Sequence, residues 1–303
     1  MKNILIVGGS YFVGKTFVEE MRKHHDYAIY VMNRGNVPLN LEGVEEIVCD
    51  RHDAFAIQGI VPAQDWHVVM DFCAYEPDDI DLFIYNLPGS VHHYIYISTA
   101  TVYQNSLRLP MKEDFPKLTG PLPGPHGDYA YKKWLAEVKL KEVCEERGIA
   151  HTSLRPAFIY GKYNYAPRES YFFDLIARDE PIPVPSLPQA LFSMVSVWDV
   201  AGICIACLGN EQVFNAAFNV AAEEIISYDR LIETMEEVVG RKLDVRRMSI
   251  AEIERQRIPL PFPLEEQLIY SGSLLQQTLE YEFMPFLEGM KKTYNWYLKI
   301  ETQ

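Results

Sequence analysis

The sequence predicts an α/β protein in which a doubly wound parallel sheet is followed by a smaller C-terminal region that caps a substrate site. Short apolar runs alternate with amphipathic helical patterns through the first half of the chain. A glycine-rich turn joins the first run to the first helical pattern, and after residue 161 the alternation gives way to a looser, proline-rich pattern. Strands that alternate with helices at this spacing are typical of a parallel sheet with right-handed crossovers.

The glycine turn follows the first predicted strand, residues 4–7, whose four apolar residues lack polar alternation and so predict burial on both faces. Gly8 ends the strand, and helical spacing begins at Val13. Such a turn directs backbone N–H groups and the positive end of a helix dipole at one spot, which suits a pyrophosphate. Gly8 and Gly14 take the first and third places of a GxxGxxG spacing, and Tyr11 takes the second. The alternative is an ordinary strand-to-helix turn.

Composition narrows the class of protein. The 303 residues are 48% hydrophobic, which indicates a folded globular chain, and the formal charge of −14 disfavours nucleic acid as a partner. The apolar stretches are too short for a signal segment or a membrane span, so a cytoplasmic protein without membrane association is expected. The five cysteines form no metal-like cluster, and we predict that Cys204 and Cys207 are buried thiols on an apolar helix.

The carboxyl ends of the predicted strands should form a ligand-binding edge. Further strands are predicted at residues 27–32, 45–48, 66–72, 93–98, 150–154 and 218–221. Five residues would then fall on this edge, one after each of the first five strands: Gly8, Asn33, Asp50, Ala74 and Thr99.

The residues after the second and third strands bear on the choice of cofactor. In a dinucleotide-binding fold the adenosine ribose lies after the second strand, where Asn33 and Arg34 form a neutral-to-basic pair that could tolerate a 2′-phosphate. A solvated loop arginine is the alternative. Asp50 could accept a hydrogen bond from the adenine amino group or cap the next helix.

A proline-rich loop at residues 104–127 leads into a helix that begins near Asp128. Tyr129, Lys133 and Glu137 are spaced four apart and therefore lie along one face of it. Later in the chain, Asp199 is expected to cap the helix that carries Cys204 and Cys207. We predict a nucleotide-binding domain of residues 1–166 with 192–222, and a substrate-binding region of residues 167–191 with 223–303.

The order of separated motifs resembles the extended short-chain dehydrogenase/reductase superfamily, and within it the NAD(P)-dependent epimerase/dehydratase family. The motifs are Gly8 with Gly14, Thr99, the pair Tyr129 and Lys133, and a run from Arg155 to Gly161. The resemblance covers residues 1–220 and implies a Rossmann-type fold. Tyr11, Asn33-Arg34-Gly35 and Asp50-Arg51 are similar to a bacterial branch related to plant chloroplast stem-loop-binding proteins.

The resemblance implies that Tyr129 is the general base or acid, that Lys133 binds the nicotinamide ribose and lowers the tyrosine pKa, and that Thr99 hydrogen-bonds the reacting oxygen. A surface helix with an exposed tyrosine and a solvated lysine is the alternative. The predicted cofactor, NAD(P) with NADP slightly favoured over NAD, would contact Gly8, Ser10, Tyr11, Phe12, Val13, Gly14, Asn33, Arg34, Asp50, Arg51, Ala74, Ser98, Lys133 and Pro156.

Two departures from the family pattern concern the substrate. Phe192 stands where relatives that act on nucleotide sugars carry a diphosphate-binding arginine, and Tyr75 is bulky where small residues are usual. The predicted substrate contacts are Tyr75, Tyr160, Arg168 and Phe192.

The predicted function is hydride transfer at a carbinol or carbonyl carbon of a sugar-like or other small metabolite. We expect a small-molecule substrate and no nucleic-acid partner, and a homodimer is compatible with the sequence. The alternative is a non-catalytic cofactor-binding or RNA-associated protein with a vestigial site.

Overall fold

The computed structural model describes residues 1–124, 127–187 and 190–301. Its strands are β1 (Lys2–Val7), β2 (Tyr27–Asn33), β3 (Val44–Val48), β4 (Gln64–Asp71), β5 (Gly89–Ile97), β6 (Ala150–Pro156), β7 (Phe158–Tyr160), β8 (Ile182–Pro185), β9 (Leu191–Ser196), β10 (Ala216–Val220), β11 (Ile225–Ile226), β12 (Val245–Met248) and β13 (Gln267–Leu268). Its helices are α1 (Phe12–Met21), α2 (Ala54–Ile60), α3 (Pro77–Asn86), α4 (Gly127–Arg147), α5 (Glu169–Ala177), α6 (Val197–Cys207), α7 (Tyr228–Val239), α8 (Ile250–Gln256), α9 (Ser273–Leu279) and α10 (Phe286–Glu301).

The central sheet has seven strands in the order β3-β2-β1-β4-β5-β6-β10, and every neighbouring pair is parallel. Helices cover both faces. Ile4 and Ile6 of β1 join a core with α1 and α6, whereas Leu5 and Val7 join a second core with α2, α3 and α4. Because successive side chains of a strand point to opposite faces, the unbroken apolar run feeds both cores. The predicted doubly wound α/β fold is confirmed.

A second, smaller sheet is centred on β9, which pairs with β7, β11 and β13. Phe192 and Met194 of β9 point into the core of the C-terminal region, while Val195 points into the core of the central sheet. The sequence assigns residues 192–222 to the nucleotide-binding domain. The first strand of this segment, β9, therefore contacts the cores of both the central sheet and the C-terminal region. Leu275 of α9 also packs into the central-sheet core, although we had placed α9 in the substrate-binding region.

The cysteines of α6 are both fully buried, as the apolar pattern around them predicts. Within the described part of the chain, no helix combines the length and the apolar character that crossing a membrane requires.

Candidate functional site

A cleft of about 830 Å³ opens at the carboxyl edge of the central sheet. Loops that follow β1, β2, β3, β4 and β5 line it, and α4 and the segment after β7 close its other side. Every residue that we predicted to contact the cofactor lines this cleft except Ala74. Ala74 is buried behind it, where its carbonyl oxygen accepts a hydrogen bond from Lys133.

The glycine turn has the shape that a pyrophosphate needs. Gly8 has a φ of +90°, and a Cβ built on Gly14 would lie 2.2 Å from the carbonyl oxygen of Gly8, so α1 starts in direct contact with the end of β1. The hydroxyl of Ser10 is buried in the turn and has no hydrogen-bond partner. Tyr11 is 57% exposed, so its side chain does not fill the turn. A buried hydroxyl without a partner at a helix N-terminus fits the phosphates of a dinucleotide.

The cleft contains two arginines that follow β2 and β3 and differ in their partners. Arg51 is buried and forms a bidentate pair with Asp71, with N···O distances of 2.8 and 3.0 Å. Arg34 is exposed and has no carboxylate within ion-pair distance among the described residues. The guanidinium of Arg51 is therefore committed to the protein, whereas that of Arg34 is free for a ligand.

Asn33 and Asp50 differ in how free their side chains are. The Asn33 amide donates to Glu46 at 2.7 Å and its oxygen accepts from the backbone N–H of Gly35 at 2.7 Å, so it stabilises the loop. Asp50 does not cap α2, because Asp53 accepts the capping hydrogen bond from Ala56. The backbone N–H of His52 donates to Asp50 and lowers the pKa of its carboxyl group.

Thr99 and Lys133 both reach the cleft from fixed positions. Thr99 follows β5, and its hydroxyl accepts from the backbone N–H of Thr101 at 3.2 Å. Lys133 is 2% exposed and donates to the carbonyl oxygens of Ala74 at 2.8 Å and Ile97 at 2.5 Å. Its burial lowers its pKa to about 8. A solvated lysine on a surface helix, the alternative that the sequence left open, is ruled out.

Tyr129 points into the cleft, and 45% of its surface is accessible there. Burial by the surrounding protein, with a contribution from Tyr165, raises the pKa of Tyr129 to about 12, and the charge of Arg168 acts in the opposite direction. No hydrogen bond among the described residues joins Tyr129 to Lys133, whose ammonium instead contacts the two carbonyl oxygens. In the protein alone, the cation that lowers the pKa of Tyr129 is therefore Arg168.

A buried polar network holds α4 against the sheet, and sequence reasoning missed its role. Glu137 pairs with Arg155, with a shortest N···O distance of 2.6 Å, and accepts from the hydroxyl of Ser98. Arg155 also donates to the hydroxyl of Tyr103, which donates to Asn219 of β10. The spacing of Glu137 after Tyr129 and Lys133 was the available signal. The network fixes the face of α4 from which both residues reach the cleft.

Known proteins resemble this chain in sequence and in fold. A model of the NAD dependent epimerase/dehydratase family matches residues 4–221. The chain belongs to this family. The predicted family and enzyme class are thereby confirmed, and the family is described as NAD dependent, while the choice between NAD and NADP stays a prediction.

The chain is similar both to proteins named as enzymes and to one named as a binding protein. It is 27% identical over 256 residues to the chloroplast stem-loop binding protein of 41 kDa b from Arabidopsis thaliana, a match that covers 79% of this chain and 64% of the plant protein. The UDP-glucose 4-epimerase of Thermotoga maritima, solved with UDP-glucose, has a TM-score of 0.79 at 17% identity, with 99% of both chains covered. The dTDP-glucose 4,6-dehydratase of Bacillus anthracis, solved with NAD, has a TM-score of 0.77 at 16% identity and covers 100% of this chain and 98% of its own.

The four predicted substrate contacts divide into two pairs. Tyr75 and Arg168 line the cleft. Tyr160 and Phe192 do not, which corrects our placement of them. Tyr160 packs edge-on against Phe286 with 5.4 Å between ring centroids, and Phe192 stacks on Phe262 at 4.7 Å. Both side chains point from β7 and β9 into the aromatic core of the C-terminal region.

Proposed function

We propose that the protein is an NAD(P)-dependent enzyme that moves a hydride to or from a carbinol or carbonyl carbon of a sugar-like or other small metabolite. The observation that carries this proposal is one continuous cleft that is lined both by the glycine turn and by Thr99 and Tyr129. A bound nicotinamide would supply the hydride acceptor or donor. The chain itself would bind the dinucleotide, orient the substrate and move the proton.

The residues of the cleft suggest how the dinucleotide is held. The turn from Gly8 to Gly14, with the free hydroxyl of Ser10, would bind the pyrophosphate. Arg34 and Asp50 would face the adenosine. Because Arg34 has no carboxylate partner among the described residues, it can pair with a 2′-phosphate, and we infer a preference for NADP over NAD.

Tyr129 would transfer the proton at the reacting oxygen, and Thr99 would hydrogen-bond the same oxygen. A pKa of about 12 keeps the phenol protonated near neutral pH, so the protein alone presents Tyr129 as a proton donor. In the direction of oxidation the phenol must lose its proton near pH 7. Cations near the phenol must therefore stabilise the phenolate in this direction. Arg168 already contributes in that direction.

The buried lysine argues against a vestigial site. Burial lowers the pKa of Lys133 from 10.5 to about 8, so its protonated form destabilises the fold by about 3 kcal/mol. The cost is fully present below about pH 8 and disappears above pH 10.5, where the lysine is neutral in both states. A protein whose cleft no longer binds a dinucleotide has no use for this cost. The formal charge of −14 also disfavours an RNA ligand.

The cleft suggests a substrate with fewer anionic groups than a nucleotide-diphosphate sugar. Its arginines and lysine are Arg34, Arg51, Lys133 and Arg168. Arg51 is paired with Asp71 and Lys133 with two carbonyl oxygens. Arg168 is thus the free cation at the catalytic end among the described residues, whereas a diphosphate presents two phosphate groups. Thermal-shift screening of UDP-, GDP- and dTDP-sugars with cofactor present tests this, and stabilisation with turnover of any of them contradicts it.

Calorimetric titration with NADH and NADPH tests the cofactor assignment. We expect both cofactors to bind the wild-type protein. The affinity for NADPH should be about tenfold lower in Arg34→Ala and the affinity for NADH unchanged, because only the 2′-phosphate pairs with the arginine. Arg255→Ala, an exposed arginine on α8 outside the cleft, is the matched control. The enzyme assignment fails if neither cofactor binds.

Kinetics of Tyr129→Phe test the proton-transfer role with any substrate that turns over. We expect turnover to fall by about 10² to 10⁴, with cofactor affinity retained. Tyr131→Phe, two residues along α4 and outside the cleft lining, is the control and should keep its activity. Near-normal turnover in Tyr129→Phe means that another residue carries the proton.

A further inference from the structure

Arg168 has a fixed position and unused hydrogen-bonding capacity. One guanidinium nitrogen, Nη1, donates to the carbonyl oxygen of Ile159 at 2.7 Å. The guanidinium carbon lies 5.5 Å from the centroid of the Phe158 ring. These two contacts hold the planar group at the edge of the cleft. Its remaining N–H groups have no protein acceptor among the described residues.

Two buried arginines of the protein are neutralised, whereas the half-buried Arg168 is not. Arg51 pairs with Asp71, and Arg155 pairs with Glu137. No described carboxylate lies within ion-pair distance of Arg168. Its neighbour Glu169 instead accepts from the backbone N–H of Gly161 at 2.8 Å. Burial without a partner lowers the pKa of Arg168, which means that the folded protein holds a cation there at a cost.

The place of Arg168 in the cleft points to a role toward the substrate. Arg168 is close enough to Tyr129, the residue that we propose to move the proton, for its charge to act on the phenol. Tyr75 and Tyr165 are exposed beside it and offer flat apolar walls. A fixed, half-buried guanidinium next to aromatic rings suits a small ligand with a planar or apolar body and an oxyanion.

We propose that the substrate carries one anionic group, a carboxylate or a phosphate monoester, and that Arg168 binds this group beside Tyr129. The inference rests on the proposed function, because it assumes that the cleft is the site of the reaction. Arg168 is then a specificity-determining residue. It fixes the distance between the anionic group and the carbon that reacts.

The test uses three probes that share one ring and differ in charge: benzoate, phenyl phosphate and neutral benzyl alcohol. Each is titrated calorimetrically into the full chain saturated with NADH, so that the glycine turn is already filled. The variants are Arg168→Gln and Arg168→Lys. Arg178→Gln, which removes an exposed arginine at the other end of α5, is the matched control.

We expect at least one anionic probe to bind the wild-type protein and the Arg178→Gln variant saturably. Its affinity should be about tenfold lower or more in Arg168→Gln, because a charge-assisted hydrogen bond is lost, and intermediate in Arg168→Lys. Benzoate alone binding identifies a carboxylate, and phenyl phosphate alone identifies a phosphate monoester. Benzyl alcohol should not distinguish wild type from Arg168→Gln.

Equal affinity of the anionic probes for wild type and Arg168→Gln overturns the proposal. The proposal is also overturned if neither benzoate nor phenyl phosphate binds the wild-type protein. If Arg168→Gln does not fold, as judged by circular dichroism, Arg168→Lys decides alone, and an affinity equal to that of the wild type overturns the proposal. Failure of the proposed function is a separate result, because it appears as a lack of binding of both NADH and NADPH. The same titrations without NADH then still report whether an anion depends on Arg168.

Discussion

Replacing Glu169 by glutamine should change how the stability of the protein depends on pH. Glu169 is 2% exposed, and its carboxylate accepts from the backbone N–H of Gly161 at 2.8 Å and from the Asn164 amide at 3.1 Å. Burial outweighs these hydrogen bonds and raises its pKa from 4.5 to about 7. Glutamine has nearly the same shape and cannot ionise, so the variant isolates the charge.

The sign and size of the effect follow from the pKa shift. Since the folded-state pKa of Glu169 is raised, its favourable contribution is fully present below about pH 4.5 and is lost as the pH rises through about 7. The shift of about 2.5 units corresponds to about 3 kcal/mol of unfolding free energy. Relative to wild type, Glu169→Gln should therefore gain about 3 kcal/mol between about pH 4.5 and pH 8. Any change in the contact with Asn164 is independent of pH and cancels in this comparison.

The assay is urea unfolding followed by circular dichroism at several pH values across this range. Glu180→Gln is the control, because it removes an exposed carboxylate just beyond the other end of α5. Its stability should run parallel to that of the wild type at every pH. Parallel curves for Glu169→Gln and wild type would refute the reasoning, since they would mean that Glu169 titrates alike in the folded and unfolded states.

Two further predictions concern the turn and the polar network. Gly14→Ala should weaken cofactor binding and cost about 1 to 3 kcal/mol, because the new Cβ would lie 2.2 Å from the carbonyl oxygen of Gly8. Calorimetry measures the cofactor affinity and thermal unfolding the stability, with Gly59→Ala on α2 as the control. The new Cβ of Gly59→Ala meets nothing within 4 Å, so no loss is expected. Equal behaviour of the two variants contradicts the prediction. Glu137→Gln should destabilise the fold by about 3 to 5 kcal/mol, because it leaves Arg155 buried without a carboxylate. Urea unfolding measures the loss of stability, with Glu142→Gln as the control, because Glu142 is an exposed partner of Lys139. A loss of unfolding free energy below about 1 kcal/mol in Glu137→Gln would show that Arg155 finds another partner.

The sequence by itself determined the architecture and the candidate site at the level of backbone position. An unbroken apolar run predicts a strand buried on both faces, and parallel strands bring their carboxyl ends to one edge. Gly8, Asn33, Asp50 and Thr99 consequently line one cleft. The spacing of Tyr129 and Lys133 placed both on one helix face, and both reach that cleft. These properties repeat over a few residues, so a local pattern contains them.

Only the tertiary structure decided which side chains are free to bind a ligand. Arg34 and Arg51 look equivalent in the sequence, yet Arg51 meets Asp71 across the sheet edge. Phe192 faces the aromatic core of the C-terminal region, where it stacks on Phe262.

The carboxylate of Asp199 shows the same dependence on distant contacts. Ser196, not Asp199, caps α6, and this contact is local, because the Ser196 hydroxyl accepts from the backbone N–H of Asp199. The Asp199 carboxylate instead accepts from Tyr281 and from the backbone N–H of Met284. These partners lie far away in the chain, and a pattern of neighbouring residues carries no information about which distant groups will compete for a donor or an acceptor.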